Sequence, residues 1–566
     1  MKNILLINLC ILLYSASLAQ SIPPSSKNND PAFIDINLEQ VVGPMKPVWA
    51  WFGYDEPNYT YMKDGKKLLS EIAQLSPVPV YVRTHSLLVT GDGKAALKWG
   101  STNVYTEDAD GKPVYNWAII DSIFDTYINR GMKPLAQIGF MPQALSTHPE
   151  PYRHYWKPGD PYTDIITGWA YPPKDYDKWR ELVYQWAKHS VERYGKKEVE
   201  SWYWEVWNEP NGYYWKGTQE EFFKLYDYAA DGIKKALPTA RIGGINVAGT
   251  SSKTATEWTT KFIEHCISGT NYATGKTGAP LDALLFHAKG SPRLVDGMVR
   301  MNMSPQLRDI SAGFRIAASY PQTSKLPLII GESDPEGCAA CGMATNPENA
   351  YRNGTLYSSY TAASFAREYL LADQYKINFL GAVSWSFEFE DQPWFYGFRD
   401  LATNGVDKPV LNVFRMFGMM SGDRVTVSAN RMYSLQTVVD SSIKGTQTEI
   451  GALATKAATS AAVMVWNYHD EDKKGAAEPV TLTFKGIPAK KVTAKTYLID
   501  SDHSNSYEVW KKMGSPQHPT KEQIATLEKA GKLQCVQQQQ KTTNAGELQL
   551  VFPLQRQAVA LVILNW

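Results

Sequence analysis

Apolar and polar positions along the chain follow two regimes. From Pro31 to Met420, short apolar runs that end in polar residues alternate with longer stretches whose apolar residues recur every three to four positions. The runs 47–52 (PVWAWF), 78–84, 133–139, 202–207 (WYWEVW), 241–244, 283–287, 326–331 and 381–385 read as eight strands. Helical spacing lies between them at 65–75, 119–130, 176–194, 220–237, 304–320 and 357–374. Such alternation argues for a parallel sheet with helices packed outside it. Eight units predict an α/β fold, a (β/α)8 TIM barrel with long loops, over residues 43–420.

From 421 to 566 the period shortens to two. Residues 425–427, 460–466, 479–484, 491–498, 546–552 and 558–564 predict an accessory antiparallel β-sandwich without barrel units. Within the N-terminal segment 20–42, residues 34–42 have the same alternation and are expected to add an edge strand to that sandwich.

The first residues carry an export pattern. Lys2 precedes an apolar run, and Ser17 and Ala19 stand where a signal peptidase reads, so 1–19 is expected to be a cleaved leader and the mature protein secreted or periplasmic. Leu9 is too large for the residue before a lipidated cysteine, so Cys10 is not expected to carry a lipid. No later apolar run is long enough to span a bilayer, and no membrane anchor is expected.

Charge adds an exclusion and aromatic content a hint. With 58 Lys and Arg against 57 Asp and Glu, the formal charge is +1, which leaves no electrostatic footprint for nucleic acid or an anionic membrane. The 18 Trp among 12% aromatic residues supply either flat faces for sugar rings or large core anchors. Cys338-Ala-Ala-Cys341 in an exported chain reads as a local disulfide; a redox pair would sit at a helix start, and a zinc site would need further ligands. No phosphate-binding glycine loop and no His/Asp metal set appear, so neither cofactor nor metal is expected.

In a (β/α)8 barrel the reactive groups sit where strands end and loops begin. The fourth run passes into Asn208-Glu209-Pro210, and the seventh delivers Glu332. Two carboxylates across one barrel mouth are what glycosidic cleavage needs, one to protonate the leaving oxygen and one to attack or to activate water. Trp202, Trp204, Trp207 and Trp215 surround Glu209 in sequence and favour the neutral acid there. The polar neighbours of Glu332 favour an ionised group. Asp334 and Glu336 are further carboxylates close to Glu332.

The stretch 202–215 (WYWEVWNEPNGYYW), Arg83-Thr84-His85, Phe286-His287 and Ile330-Gly331-Glu332 resemble glycoside hydrolase family 39, a family of retaining enzymes that includes β-xylosidases and α-L-iduronidases. The similarity continues through Trp385, Asp407-Lys408-Pro409, Ile499-Asp500 and His503-Ser504-Asn505, over nearly the whole chain. It implies Glu209 as acid/base, Glu332 as nucleophile, Asn208 as the amide at the sugar 2-hydroxyl, and Arg83 as the cation that orients Glu332. His85 and His287 would line the terminal-sugar subsite and Trp385 would floor it. Where many relatives carry Tyr, this chain has Lys289, a cation that would lower the nucleophile's pKa or meet an acidic substrate group.

The resemblance thus implies an exported, exo-acting β-D-xylosidase on xylan-derived oligosaccharides, working by double displacement. An α-L-arabinoside, a β-galactoside or an α-L-iduronide is the alternative substrate, with Lys289 and Arg293 as the cations a uronate would need. A non-catalytic carbohydrate-binding barrel is the alternative from a different class.

Overall fold

The computed structural model describes residues 31–566. The expected leader, 1–19, lies outside them. Eight parallel strands close into a barrel: Trp51–Tyr54, Tyr81–Thr84, Lys133–Ile138, Tyr203–Val206, Arg241–Ala248, Ala283–Lys289, Leu328–Asp334 and Phe379–Trp385. Each contains part of one of the eight predicted runs.

The seventh strand runs three residues beyond its apolar stretch. Glu332, Ser333 and Asp334 still pair with His287, Ala288 and Lys289 of the sixth strand. Apolar periodicity stops early there because the side chains at the barrel mouth are polar while the backbone ladder continues. Outside the barrel, Tyr176–Tyr194 forms the helix its spacing predicts, capped by the Asp175 carboxylate and ended at Gly195 with φ 83°. The helix Lys253–Ser268 was not evident from periodicity, since Ala255, Thr259 and Cys266 share its buried face with Phe262 and Ile263.

The second domain is a nine-stranded, mostly antiparallel sheet. Its order is Gln534–Thr542, Lys491–Ile499, Val559–Asn565, Ser460–Tyr468, Glu449–Lys456, Asp423–Ala429, Ala32–Pro44, Glu478–Lys485, Leu548–Leu554. Strands from the two halves of that order bury their apolar residues in one core, Val463 and Val562 with Leu482 and Leu550, which makes the sheet a sandwich. The expected edge strand is instead an interior one. Ala32–Pro44 pairs antiparallel with Asp423–Ala429 on one side and parallel with Glu478–Lys485 on the other. Its alternation, with Ile34, Ile36 and Leu38 buried, is the same for edge and interior strands facing a core, so pattern alone did not separate them.

A buried ion pair joins the two domains. Arg367, on the barrel helix Thr355–Tyr375, is fully buried and ion-paired with Glu449 of the sandwich, whose Oε1 accepts from Trp466 Nε1 at 2.7 Å. The aromatic excess is mainly structural. Trp49, Trp99, Trp169, Trp179, Trp186, Trp202, Trp204, Trp207 and Trp466 are all buried to 2% exposure or less. No described helix is long and apolar enough to cross a membrane.

Candidate active site

The carboxyl ends of the strands place the catalytic and substrate-binding candidates Glu209, Glu332, Asn208, Arg83, His85, His287, Lys289 and Trp385, but not Arg293, in one neighbourhood. After the fourth strand the backbone enters the left-handed region at Trp207 (φ 67°) and again at Glu209 (φ 42°). Such conformations persist only where surroundings over-determine them. Here Trp207 Nε1 donates to the Tyr214 carbonyl, and the Glu209 amide donates to Asn246 O at 2.9 Å.

Arg83, fully buried on the second strand, organises the floor. Its Nε donates to Glu205, its Nη1 to Glu332 Oε1 at 3.2 Å and its Nη2 to Asn208 Oδ1 at 3.0 Å. One guanidinium therefore holds the nucleophile candidate and fixes the amide of Asn208, whose NH2 end is left to donate to a hydroxyl. The Trp385 ring lies beneath, 4.8 Å from the Arg83 guanidinium and 4.3 Å from the His85 ring. Gly53 makes room for that indole, since a Cβ there would stand 2.4 Å from it.

Glu209 and Glu332 meet around two bases. His287 Nδ1 is 2.9 Å from Glu209 Oε1 and 3.5 Å from Glu332 Oε1. Lys289 Nζ is 2.6 Å from Glu209 and 2.7 Å from Glu332, so its ammonium lies between the two carboxylates. Ligand-capable atoms of Glu209, His287 and Glu332 fall within 4.8 Å of one another, a spacing that could hold a cation, but Lys289 supplies the positive charge at that place.

These contacts reverse one expectation about protonation. Burial works to raise the Glu209 carboxyl, but Lys289 and His287 hold it well below the usual carboxylate range. Burial likewise opposes the Glu332 charge, and Lys289 first, then His287, bring its pKa down to about 2. The Trp-rich surroundings of Glu209 thus do not keep it neutral in this arrangement; Lys289 and His287 together outweigh its burial. Burial disfavours the Lys289 charge, yet Glu209 and Glu332 raise its pKa above that of an ordinary lysine. Burial lowers both histidines of the site, His85 to about 4, so the His85 ring is neutral at physiological pH.

The neighbouring carboxylates are otherwise engaged. Asp334 Oδ1 accepts from the Trp385 amide at 2.9 Å, and burial, opposed by Arg399, raises its pKa to about 7. Glu336 is bound by Arg352 and Arg399. Arg293, by contrast, is exposed on the hairpin of Arg293–Val295 with Met298–Arg300, outside the cavity lining.

A cavity of about 160 Å³ opens over this cluster, bordered by Glu209, Glu332, Lys289, Trp385, Tyr213 and Tyr214. Cys338 also borders it, and the Cys338–Cys341 disulfide is formed. Two charged lining residues were missed by sequence reasoning, Asp55 and Lys98, as were the aromatic pair Tyr213 and Tyr214. Asp55 follows the first strand as Glu209 follows the fourth, so the same strand-end signal could have found it. Lys98 comes from a loop whose backbone is left-handed at Lys98 and Trp99, and no local pattern pointed to it.

A family model described as glycosyl hydrolases family 39 matches residues 32–549. A β-xylosidase of Geobacillus stearothermophilus is 27% identical over 501 residues, 85% of each chain. An α-L-iduronidase of Mus musculus is 22% identical over 536 residues, 89% of this chain and 76% of that one. Among solved structures, a GH39 enzyme from Xanthomonas axonopodis pv. citri superposes with a TM-score of 0.73 at 21% identity, covering 95% of this chain and 98% of the other.

Proposed function

Because the chain belongs to glycosyl hydrolase family 39, and is accordingly a glycosidase, we propose that it is an exported, exo-acting β-D-xylosidase that works by double displacement on xylan-derived oligosaccharides. Glu332 attacks the anomeric carbon while Glu209 protonates the leaving oxygen. Glu209 then takes a proton from water, which releases the sugar from Glu332 with its configuration retained. The observation that carries this reading is the closeness of the two carboxylates. Retaining enzymes hold the two groups about 5–5.5 Å apart and inverting ones about 6.5–9.5 Å; here one oxygen of Glu209 and one of Glu332 lie within 4.8 Å of each other.

Arg83 aims Glu332, which Lys289 and His287 chiefly keep ionised, and Asn208 donates to the 2-hydroxyl as positive charge develops on the ring. Lys289 has to leave Glu209 before that carboxyl can carry its proton, so ammonium movement accompanies sugar entry. The small cavity supports removal of one terminal residue at a time, and the matching β-xylosidases support the choice of xylose.

Lys289 and Lys98, both on the cavity, favour a second reading in which the terminal sugar is a uronide such as an α-L-iduronide. A substrate carboxylate would draw Lys289 off Glu209 and free the acid. A panel of nitrophenyl glycosides separates the two, with the first-formed anomer followed by NMR. The xyloside turned over with retention is the expected result. A first product of inverted configuration refutes double displacement, and turnover of the iduronide but not the xyloside refutes the sugar assignment.

A further inference from the structure

One carboxylate on the cavity has no part in the double displacement. Asp55 is 4% exposed and directly follows the first barrel strand. Its Oδ1 lies 2.7 Å from His85 Nδ1, and its Oδ2 accepts from Lys98 Nζ at 2.9 Å. Lys98 is itself 2% exposed, with its ammonium 4.4 Å from the Trp99 ring, so the cation that grips Asp55 is built into the wall.

A carboxylate has about four lone-pair sites. The two contacts take one on each oxygen and leave each oxygen one further acceptor site. His85 also sets the distance to the reacting centre. Its Nδ1 faces Asp55 and its Nε2 stands 3.8 Å from Glu332 Oε1, so one imidazole ring separates the two carboxylates. A sugar ring with its anomeric carbon at Glu332 spans a similar width and brings its far hydroxyls to Asp55. The other acidic groups near the nucleophile, Asp334 and Glu336, do not line the cavity.

Resting on the retaining-glycosidase reading, we propose that Asp55 is a specificity-determining residue whose two oxygens accept hydrogen bonds from two adjacent hydroxyls of the terminal sugar, with Lys98 and His85 as the positioning residues that hold it. A buried ion pair serving only to tie loops together would not need to border the cavity. The Asp55 carboxylate is also kept in its accepting form, since Lys98 and His85 outweigh the burial that opposes its charge.

The test measures kcat/KM for the aryl glycoside that the wild type turns over and for its 2-, 3- and 4-monodeoxy analogues, in wild type and in Asp55→Asn. Hydrogen bonds to a charged group give the scale: removing either of two adjacent hydroxyls should cost the wild type about 10- to 100-fold. In Asp55→Asn the parent substrate should fall by a comparable factor, and the two deoxy analogues should lose little more. Equal losses on the parent and on every deoxy analogue would overturn the assignment. Should Asp55→Asn fail to fold, judged by circular dichroism, Lys98→Met loosens the carboxylate without deleting it; a partial loss of the same discrimination is then expected, and unchanged discrimination counts against the proposal. If the wild type spares xylosides and cleaves another glycoside, the xylose assignment fails while the Asp55 test proceeds on that sugar.

Discussion

Replacing Lys289 with methionine should move the pH dependence of catalysis upward. The ammonium touches Glu209 at 2.6 Å and Glu332 at 2.7 Å, and both carboxylates are held low chiefly by it against the pull of burial. An opposite charge in close contact lowers a carboxylate by about 1–3 units, or about 1.4–4 kcal/mol at 1.4 kcal/mol per unit. Without it, two buried carboxylates face each other with Arg83, His287 and the neutral His85 ring as the remaining basic groups, and repulsion raises one of them further. Glu209 would then hold its proton at higher pH, and the descending limb of kcat/KM, which reports the acid in the free enzyme, should shift up by about 1–3 units. The assay is a pH profile of kcat/KM with two aryl glycosides. A leaving group that needs protonation should reveal the shift, whereas a dinitrophenolate, which leaves unaided, should show it weakly. A descending limb that stays in place or moves down for the poor leaving group would refute the reasoning.

Glu332→Gly should abolish turnover and regain it with azide, yielding a glycosyl azide of inverted configuration; no rescue at high azide would remove Glu332 from the nucleophile role. Cys338→Ser with Cys341→Ser releases a four-residue loop whose closure is worth about 2 kcal/mol in the chain-entropy model, so denaturant midpoints should drop, and KM should rise because Cys338 borders the cavity; an unchanged KM would show that the loop does not shape the site. Glu368 is raised by burial from 4.5 to about 8, so it keeps a proton in the folded state that the unfolded chain releases. Its stabilising contribution is therefore present at acidic pH and is lost as pH climbs toward 8. Glu368→Gln should flatten that part of the stability curve in urea titrations, and an identical slope in the variant would contradict the assignment.

Much of the site was legible because strand ends are punctuated by a change of character. Glu209 and Glu332 each close an apolar run, and the barrel register turns those sequence positions into spatial neighbours. Asp55 was missed because the first apolar run was read as ending at Phe52, whereas the strand continues to Tyr54 and ends directly before it. What sequence did not disclose was tertiary. Lys98 arrives on a loop bent through left-handed residues. The charge state of Glu209 is set by Lys289, 80 residues later in the chain, and by His287, which together outweigh the burial that its apolar surroundings impose. For the N-terminal strand, alternation identified a half-buried surface but could not specify its neighbours, which the sandwich supplies from the other end of the chain.

That strand also ties the order of synthesis to the order of folding. Phe33 donates its backbone N–H to Asn430, 397 positions away, and the strand's other flank pairs with Glu478–Lys485. The barrel's strands lie between these partners and can assemble while the chain is still being made. This strand must wait, unpaired on both edges, until the last quarter of the protein exists. Such long-range pairing is slow and leaves β edges open to other chains. The sandwich cut away at residue 421 would lack an interior strand, so the C-terminal region expressed alone should recover its fold only when a peptide carrying Ala32–Pro44 is supplied in trans.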